Sequence, residues 1–159
     1  MSNKKLGIIA TKGSLDWAYP PFILASTAAA LGYEVEIFFT FYGLQLLKKN
    51  LSLQVSPLGN PGMPMPMAMD KWFPVIGTAI PGMQSIMTMM MKAKMKKKGV
   101  ASVAELRDLC VEGEVKLIAC QMTVDLFDMN PNEFVTGTEF GGAATFFEFA
   151  GETDICLYI

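Results

Sequence analysis

The pattern that constrains this chain most is its opening. A short apolar run from Leu6 to Ala10 leads into the turn Thr11-Lys12-Gly13-Ser14, then a helix-length segment to about Leu31, then Glu34 to Thr40, which is rich in β-branched and aromatic residues. Short apolar runs bounded by turn residues read as buried strands, and two of them separated by a helix make a βαβ unit. Strands joined by such a crossover lie parallel, so the first quarter of the chain already commits it to an α/β sheet. Ser14 stands where a helix N-cap belongs, Pro20 and Pro21 fall near the helix start, where proline costs least, and Gly32 ends the helix.

Regularity breaks after Tyr42-Gly43 and a short helix to about Asn50. Pro57, Gly59, Pro61, Gly62, Pro64 and Pro66 exclude any regular element and mark an excursion from the fold. Trp72 to Met91 is twenty residues without a charge, followed by Lys92, Lys94, Lys96, Lys97 and Lys98. Alternation then resumes. Ser102 with Glu105 three residues on is a capping box opening a helix to about Cys110, and Val115 to Cys120 is a strand. Gln121 to Phe127 reads as a helical turn stopped by Asn130-Pro131, Thr138 to Ala150 as a helix despite Gly141-Gly142, and Ile155 to Ile159 as a terminal strand. With 159 residues there is room for one core and not comfortably for two, so the expected organisation is a single domain over 1–159 with an insertion at about 57–98.

Chemistry is bounded by an absence: the chain has no histidine. Serine–histidine triads, imidazole bases and histidine metal sites are excluded. A net charge of −2 gives no support for nucleic-acid binding, which needs many phosphates neutralised. Three cysteines, an odd number, and an opening without a signal-peptide pattern fit a reducing, cytoplasmic setting.

Cys120 is the leading candidate. It ends a strand and precedes a helical turn, and in open parallel sheets the working groups sit at the carboxyl ends of strands. Unpaired N–H groups and the helix dipole there favour a thiolate, the form that attacks sulfur. The competing reading is a buried packing cysteine. Cys110 ends the preceding helix, at the other end of the strand. Strand residues span about 3.3 Å each, which separates the two cysteines by roughly 17 Å, against the 7 Å or so that a disulfide bridges. Cys110 therefore reads as a core or helix-end residue, and Cys156 as packing in the terminal strand. Scattered cysteines without histidine do not form a zinc site, so no metal and no cofactor is called for. Thr11-Lys12-Gly13-Ser14 lacks the spacing of a phosphate loop and reads as an ordinary βα turn that borders the cleft.

The uncharged stretch is broken by Pro74, Gly77, Pro81 and Gly82 and diluted by Gln84, Ser85 and Thr88, which argues against a membrane span. Two uses remain for a helix over about 84–98 with Met83, Met87, Met90 and Met91 as an adaptable face: peripheral contact with a membrane or partner, or packing against neighbouring subunits. The second is the simpler way to hide apolar surface.

Four segments in order, Thr11-Lys12-Gly13-Ser14-Leu15-Asp16, Ile37-Phe38-Phe39-Thr40-Phe41-Tyr42-Gly43-Leu44, the methionine-rich insertion ending Lys96-Lys97-Lys98-Gly99-Val100, and Ala119-Cys120-Gln121-Met122-Thr123-Val124-Asp125, resemble the DsrE2-like branch of the DsrE/DsrF sulfur-relay family over nearly the whole chain. The resemblance implies a three-layer α/β/α sandwich with a mainly parallel sheet and assembly into homotrimers or homohexamers. It also implies a cysteine, here Cys120, that accepts sulfane sulfur as a persulfide or thiosulfonate and passes it to an acceptor thiol. Donor and acceptor would be rhodanese-like or small sulfur-carrier proteins. Where many relatives read Ser-Met-Asp-Val-Met-Gly, this chain has Thr123-Val124-Asp125-Leu126-Phe127-Asp128. Thiol peroxidases place Thr or Ser three residues before the reactive cysteine, and Leu117 stands there instead. Gln121, Met122, Thr123, Thr11 and Ser14 are the expected pocket residues, with Gln121 and Thr123 donating hydrogen bonds to the extra sulfur. The rival readings are a non-catalytic adaptor that binds membrane or partner through the methionine-rich helix, and an oxidoreductase with a ligand in the strand-end cleft.

Overall fold

The computed structural model describes residues 4–57 and 80–159. The proline-rich excursion beyond Pro57 and the first part of the uncharged stretch lie outside the described residues. Those described fall into two compact units, one of residues 4–13, 17–52 and 102–159 and one of residues 14–16, 53–57 and 80–101.

The first unit is built on five parallel strands in the order β4-β3-β2-β1-β5, with β1 Lys5–Ala10, β2 Glu34–Phe39, β3 Lys116–Cys120, β4 Thr138–Gly141 and β5 Ile155–Tyr158. Helix α1, Leu15–Ala30, joins β1 to β2, and α3, Val103–Glu112, leads into β3. Adjacent strand residues point to opposite faces, and Phe38 and Phe39 mark the two sides. Phe39 meets Phe22 of α1 at 5.9 Å between ring centres, whereas Phe38 stacks on Phe146 of α5, Ala143–Ala150, at 5.3 Å. Helices therefore cover both faces, which gives the three layers. Phe22, Phe39, Phe146, Ile8, Ile37 and Leu117 are fully buried, each worth about 1.5–3 kcal/mol relative to exposure.

Most expected elements are present, with their causes visible. Ser102 and Glu105 close the capping box in both directions, at 3.2 and 2.6 Å. Pro20 and Pro21 lie in the second turn of α1, deeper than expected, and Pro21 is buried in the core. The segment expected as a short helix after Gly43 is a 3₁₀ turn, Phe41–Leu47. One reading is overturned: 138–150 is not one helix but strand β4 followed by α5, with the break at Gly141-Gly142. Pairing with β3 supplies the hydrogen bonds that make Thr138–Gly141 a strand, and that partner is invisible locally.

The two faces are unequally covered. Helix α5, of 8 residues, is about 10–12 Å across with its side chains, while five strands span about 19 Å. Cys156 and Tyr158, which share the α5 face with their β1 neighbours Gly7 and Ile9, stay exposed, as does Phe147. Cys156 is thus not a packing residue, because α5 is too narrow to cover the whole width of the sheet.

Glu36 of β2 also lies on that face and is 3 % exposed. Lys116 stands 3.8 Å away, itself 3.3 Å from Glu139, and the other Glu36 oxygen has no partner. Burial raises the Glu36 carboxyl above its ordinary value, Lys116 opposes this, and Glu139 and Glu34 add to it. A carboxyl raised on folding contributes stability that is full below the ordinary glutamate range and lost as pH rises through its folded value. Glu36→Gln is therefore expected to raise the melting temperature more at about pH 7.5 than at about pH 4. A shift that is equal at both values, or reversed, contradicts this.

In the second unit, α2, Met83–Lys97, is anchored by the polar residues that dilute its sequence. Thr88 accepts the Val55 N–H at 3.0 Å and Gln84 donates to the Val55 carbonyl at 2.8 Å, so one turn of α2 satisfies both sides of that residue. Asp16 accepts the next N–H, that of Ser56. Gln84 and Thr88 lie four apart and face inward. Ile86, Met89 and Met90 are exposed, while Met83, Met87 and Met91 are half-buried, so the outward apolar face differs from the expected one. Among the described residues no helix is long and apolar enough to cross a membrane.

Candidate functional site

Three strand ends and the segments that follow them meet at one edge of the sheet. Cys120 is the last residue of β3 and the N-cap of α4, Gln121–Leu126. Its neighbour across the sheet is Gly141 of β4, and Gly142 caps α5. Two helix starts therefore lie at the edge where the cysteine sits. The sequence reading missed the second, and the Gly141-Gly142 pair was the signal for it. First-turn N–H groups have no helical partners and carry partial positive charge.

The three cysteines differ sharply. Cys110 is fully buried, its thiol 3.5 Å from the Phe22 carbonyl, and burial pushes that thiol up to about 12. Burial and the raised value both oppose the thiolate there, as in a core cysteine. Cys156 is exposed on the edge strand. Cys120 lies between, 5 % exposed with its thiol in no hydrogen bond, and no disulfide links the three. Among the described residues no cluster of histidine, cysteine or carboxylates could hold a metal.

The structure brings Gln121, Met122 and Thr123 together with Cys120 on the start of α4, and it gives the polar ones other partners. Gln121 donates to Asp125 at 2.8 Å. Thr123 is wholly buried, with its hydroxyl accepting the Phe41 N–H at 3.2 Å and lying 3.3 Å from the Thr40 hydroxyl. Thr123 thus ties α4 to the end of β2 instead of presenting a donor at the surface. Thr11 donates to the Ile159 carbonyl at 3.1 Å, which fastens the end of β1 to the last residue beside β5. Lys12 sits over the Trp17 ring at 3.2 Å from its centre. Ser14 precedes α1 without a side-chain hydrogen bond, and it belongs to the second compact unit. Met122, at 59 %, and Gln121 are the exposed members.

Two glycines let the neighbouring loops close on each other. A side-chain carbon on Gly43 would strike the Ala10 carbonyl, and one on Gly13 would strike the Tyr42 carbonyl. Backbone therefore packs on backbone where β1 and β2 end. Phe41 adopts φ +48, unusual for an aromatic residue, and its N–H is the one Thr123 holds.

The sequence model of the DsrE/DsrF/DrsH-like family matches residues 2–158. Over all 159 residues, and the full length of both chains, the protein is 78% identical to "Sulfur carrier protein DsrE2" of Allochromatium vinosum. It is 32% identical to "Uncharacterized protein YrkE" of Bacillus subtilis, covering 98% of this chain and 97% of that one. The crystal structure of the ychN protein from E. coli superposes with a TM-score of 0.60 at 10% identity, over 98% of this chain and 99% of that one, a likeness of fold alone.

Proposed function

The chain belongs to the DsrE/DsrF/DrsH-like family, and from that premise we propose that it is a sulfur carrier holding sulfane sulfur on Cys120 and passing it to an acceptor thiol. The observation that carries this reading is Cys120 at the carboxyl end of β3, at the start of a helix, in a chain 78% identical to a named sulfur carrier. The Cys120 thiolate attacks the outer sulfur of a donor persulfide. The new S–S bond forms on Cys120, the donor's S–S bond breaks, and the donor leaves as a thiolate. An acceptor thiolate then attacks the same outer sulfur and releases Cys120. No net oxidation occurs and no histidine is needed. Because Gln121 and Thr123 are engaged elsewhere, the first-turn N–H groups are the nearer source of stabilisation for the extra sulfur.

Intact mass after incubation with a persulfide donor tests the reading. The wild type, Cys110→Ser and Cys156→Ser are expected to gain about 32 Da, one sulfur atom, and Cys120→Ser to gain nothing. An adduct persisting on Cys120→Ser overturns the site assignment, and a wild type that gains no sulfur favours the adaptor reading.

The same proposal takes the chain as one DsrE/DsrF-like domain over 1–159 with an insertion at about 57–98, working in the cytoplasm as a homotrimer or homohexamer. The uncovered strip of Cys156, Tyr158 and Phe147 supports self-assembly. A monomer by light scattering counts against it. Exposed Ile86, Met89 and Met90 ahead of the lysines support peripheral contact of α2 with an anionic membrane. Failure to float with anionic liposomes at low salt removes that part.

A further inference from the structure

Cys120 is 5 % exposed, so a sulfur exchanged with another protein must come in through the surface immediately around it. The segments that end β2 and follow β3 carry a group of exposed apolar side chains. Met122 and Leu126, four residues apart on α4, are each 59 % exposed. Phe127 follows, stacked with Tyr42 at 5.9 Å between ring centres and edge-on to Phe41 at 6.5 Å. All three aromatics reach solvent, Tyr42 most of all. The Thr123 hydroxyl, three residues after Cys120, holds the Phe41 N–H and with it the left-handed backbone of Phe41. Backbone strain of that kind persists only where the surroundings enforce it, and it gathers at working surfaces. Exposed aromatic and methionine side chains held in place are what the centres of protein interfaces are made of.

Charge names the occupant. From Gln121 to Glu133 there are three carboxylates, Asp125, Asp128 and Glu133, and no lysine or arginine. Glu133 is paired with Lys48 at 3.1 Å. Asp125 has only the neutral Gln121 amide, and Asp128 has no ion pair. Two uncompensated carboxylates thus border the apolar collar. A second copy docking collar to collar would set these carboxylates against their own counterparts. We propose that the collar of Phe41, Tyr42, Met122, Leu126 and Phe127 is the docking surface for the sulfur-exchange partner. The partner would be a protein whose thiol or persulfide cysteine lies among apolar side chains with lysine or arginine at the rim. This rests on the sulfur-carrier reading of Cys120.

The test uses full-length Cys156→Ser protein, in which Cys110 is too buried and too weakly acidic to react. Two short peptides carry a central cysteine as its thiopyridyl disulfide, one flanked by Leu and Lys, the other by Leu and Glu. Hydroxyethyl thiopyridyl disulfide is the small neutral reference. The Cys120 thiolate attacks the non-pyridyl sulfur, one S–S bond forms as one breaks, and the pyridinethiolate leaves and is protonated to the absorbing thione. At low salt the lysine peptide is expected to react about tenfold faster than the glutamate peptide, and the ratio should collapse with salt. Asp125→Asn with Asp128→Asn should erase the preference. Tyr42→Ser with Leu126→Ser should slow both peptides several-fold more than the small reference. Equal peptide rates at low salt, or a preference that survives the double Asp→Asn change, overturns the proposal. So does a fall in oligomer mass on Tyr42→Ser with Leu126→Ser, since a second copy would then be the occupant. Failure of the carrier reading is separate: it appears as a missing sulfur adduct on Cys120, whatever the peptide rates.

Discussion

Gly43→Ala is expected to cost about 3 kcal/mol or more of folding stability, near the upper end of what one methyl group does. The added carbon would sit against the Ala10 carbonyl, with the Ala10 carbonyl carbon at 2.8 Å and the Thr11 nitrogen at 3.3 Å. All three atoms are backbone, so no side chain can swing aside. The Ala10 oxygen also accepts the Thr40 N–H at 3.1 Å, and moving it loosens the bond that closes the end of β1 onto β2. Relief must come from shifting the 3₁₀ turn that carries Phe41 and Tyr42, which couples this stability loss to the candidate site. Gly142→Ala is the control. Nothing lies within 4 Å of its new carbon and its φ is −95, so a cost under about 1 kcal/mol is expected from the weaker N-cap. Denaturant midpoints of both variants decide the matter, and similar values for the two contradict the close-approach account.

Arg107→Ala is expected to cost about 3 kcal/mol, an effect rarely seen for removal of a charged residue. Arg107 is 5 % exposed on α3 and donates through one terminal nitrogen to the carbonyls of Leu46 at 3.0 Å and Lys48 at 2.8 Å. These are the carbonyls that end the 3₁₀ turn, and the guanidinium ties that turn to α3. Burial lowers the guanidinium's affinity for its proton, Asp108 partly restores it, and the Nε–H has no partner. The site is therefore not a salt bridge but a charged donor spent on main-chain acceptors. Hydrogen bonds to charged groups contribute about 1.5–3 kcal/mol each, and losing both leaves the Leu46 carbonyl buried without its donor. Arg107→Lys should recover part of the loss, because an ammonium can still reach one carbonyl. Equal stability of Arg107→Ala and the wild type by chemical denaturation contradicts the assignment.

What the sequence revealed follows the range of the forces involved. β1, β2, β3, α1 and α3 were legible because their signals are local: apolar runs closed by turn residues, Gly32 after α1, Ser102 and Glu105 before α3. Cys120 was legible as a strand end for the same reason. β4 was not, since four residues, Thr138–Gly141, become a strand only beside β3. With aromatic residues following, the segment resembled the start of a helix. The exposure of Cys156 depends on how much of the sheet's width α5 covers, a comparison that needs the topology. Thr123, Gln121 and Thr11 lie near the strand ends, but their hydrogen-bond partners, Phe41, Asp125 and Ile159, come from packing and from helix geometry that the pattern does not encode. The outward face of α2 was misjudged because Gln84 and Thr88 turn inward to the Val55 peptide, so polar residues occupy the buried side.

The claim that everything functional depends on is that Cys120 holds a sulfur atom another thiol can remove. Protein loaded from a persulfide donor and freed of it should release stoichiometric thiocyanate on treatment with cyanide, and should lose that capacity after exposure to an acceptor thiol. This is expected of the wild type, Cys110→Ser and Cys156→Ser, with no thiocyanate from Cys120→Ser. Thiocyanate from Cys120→Ser equal to that from the wild type would contradict it.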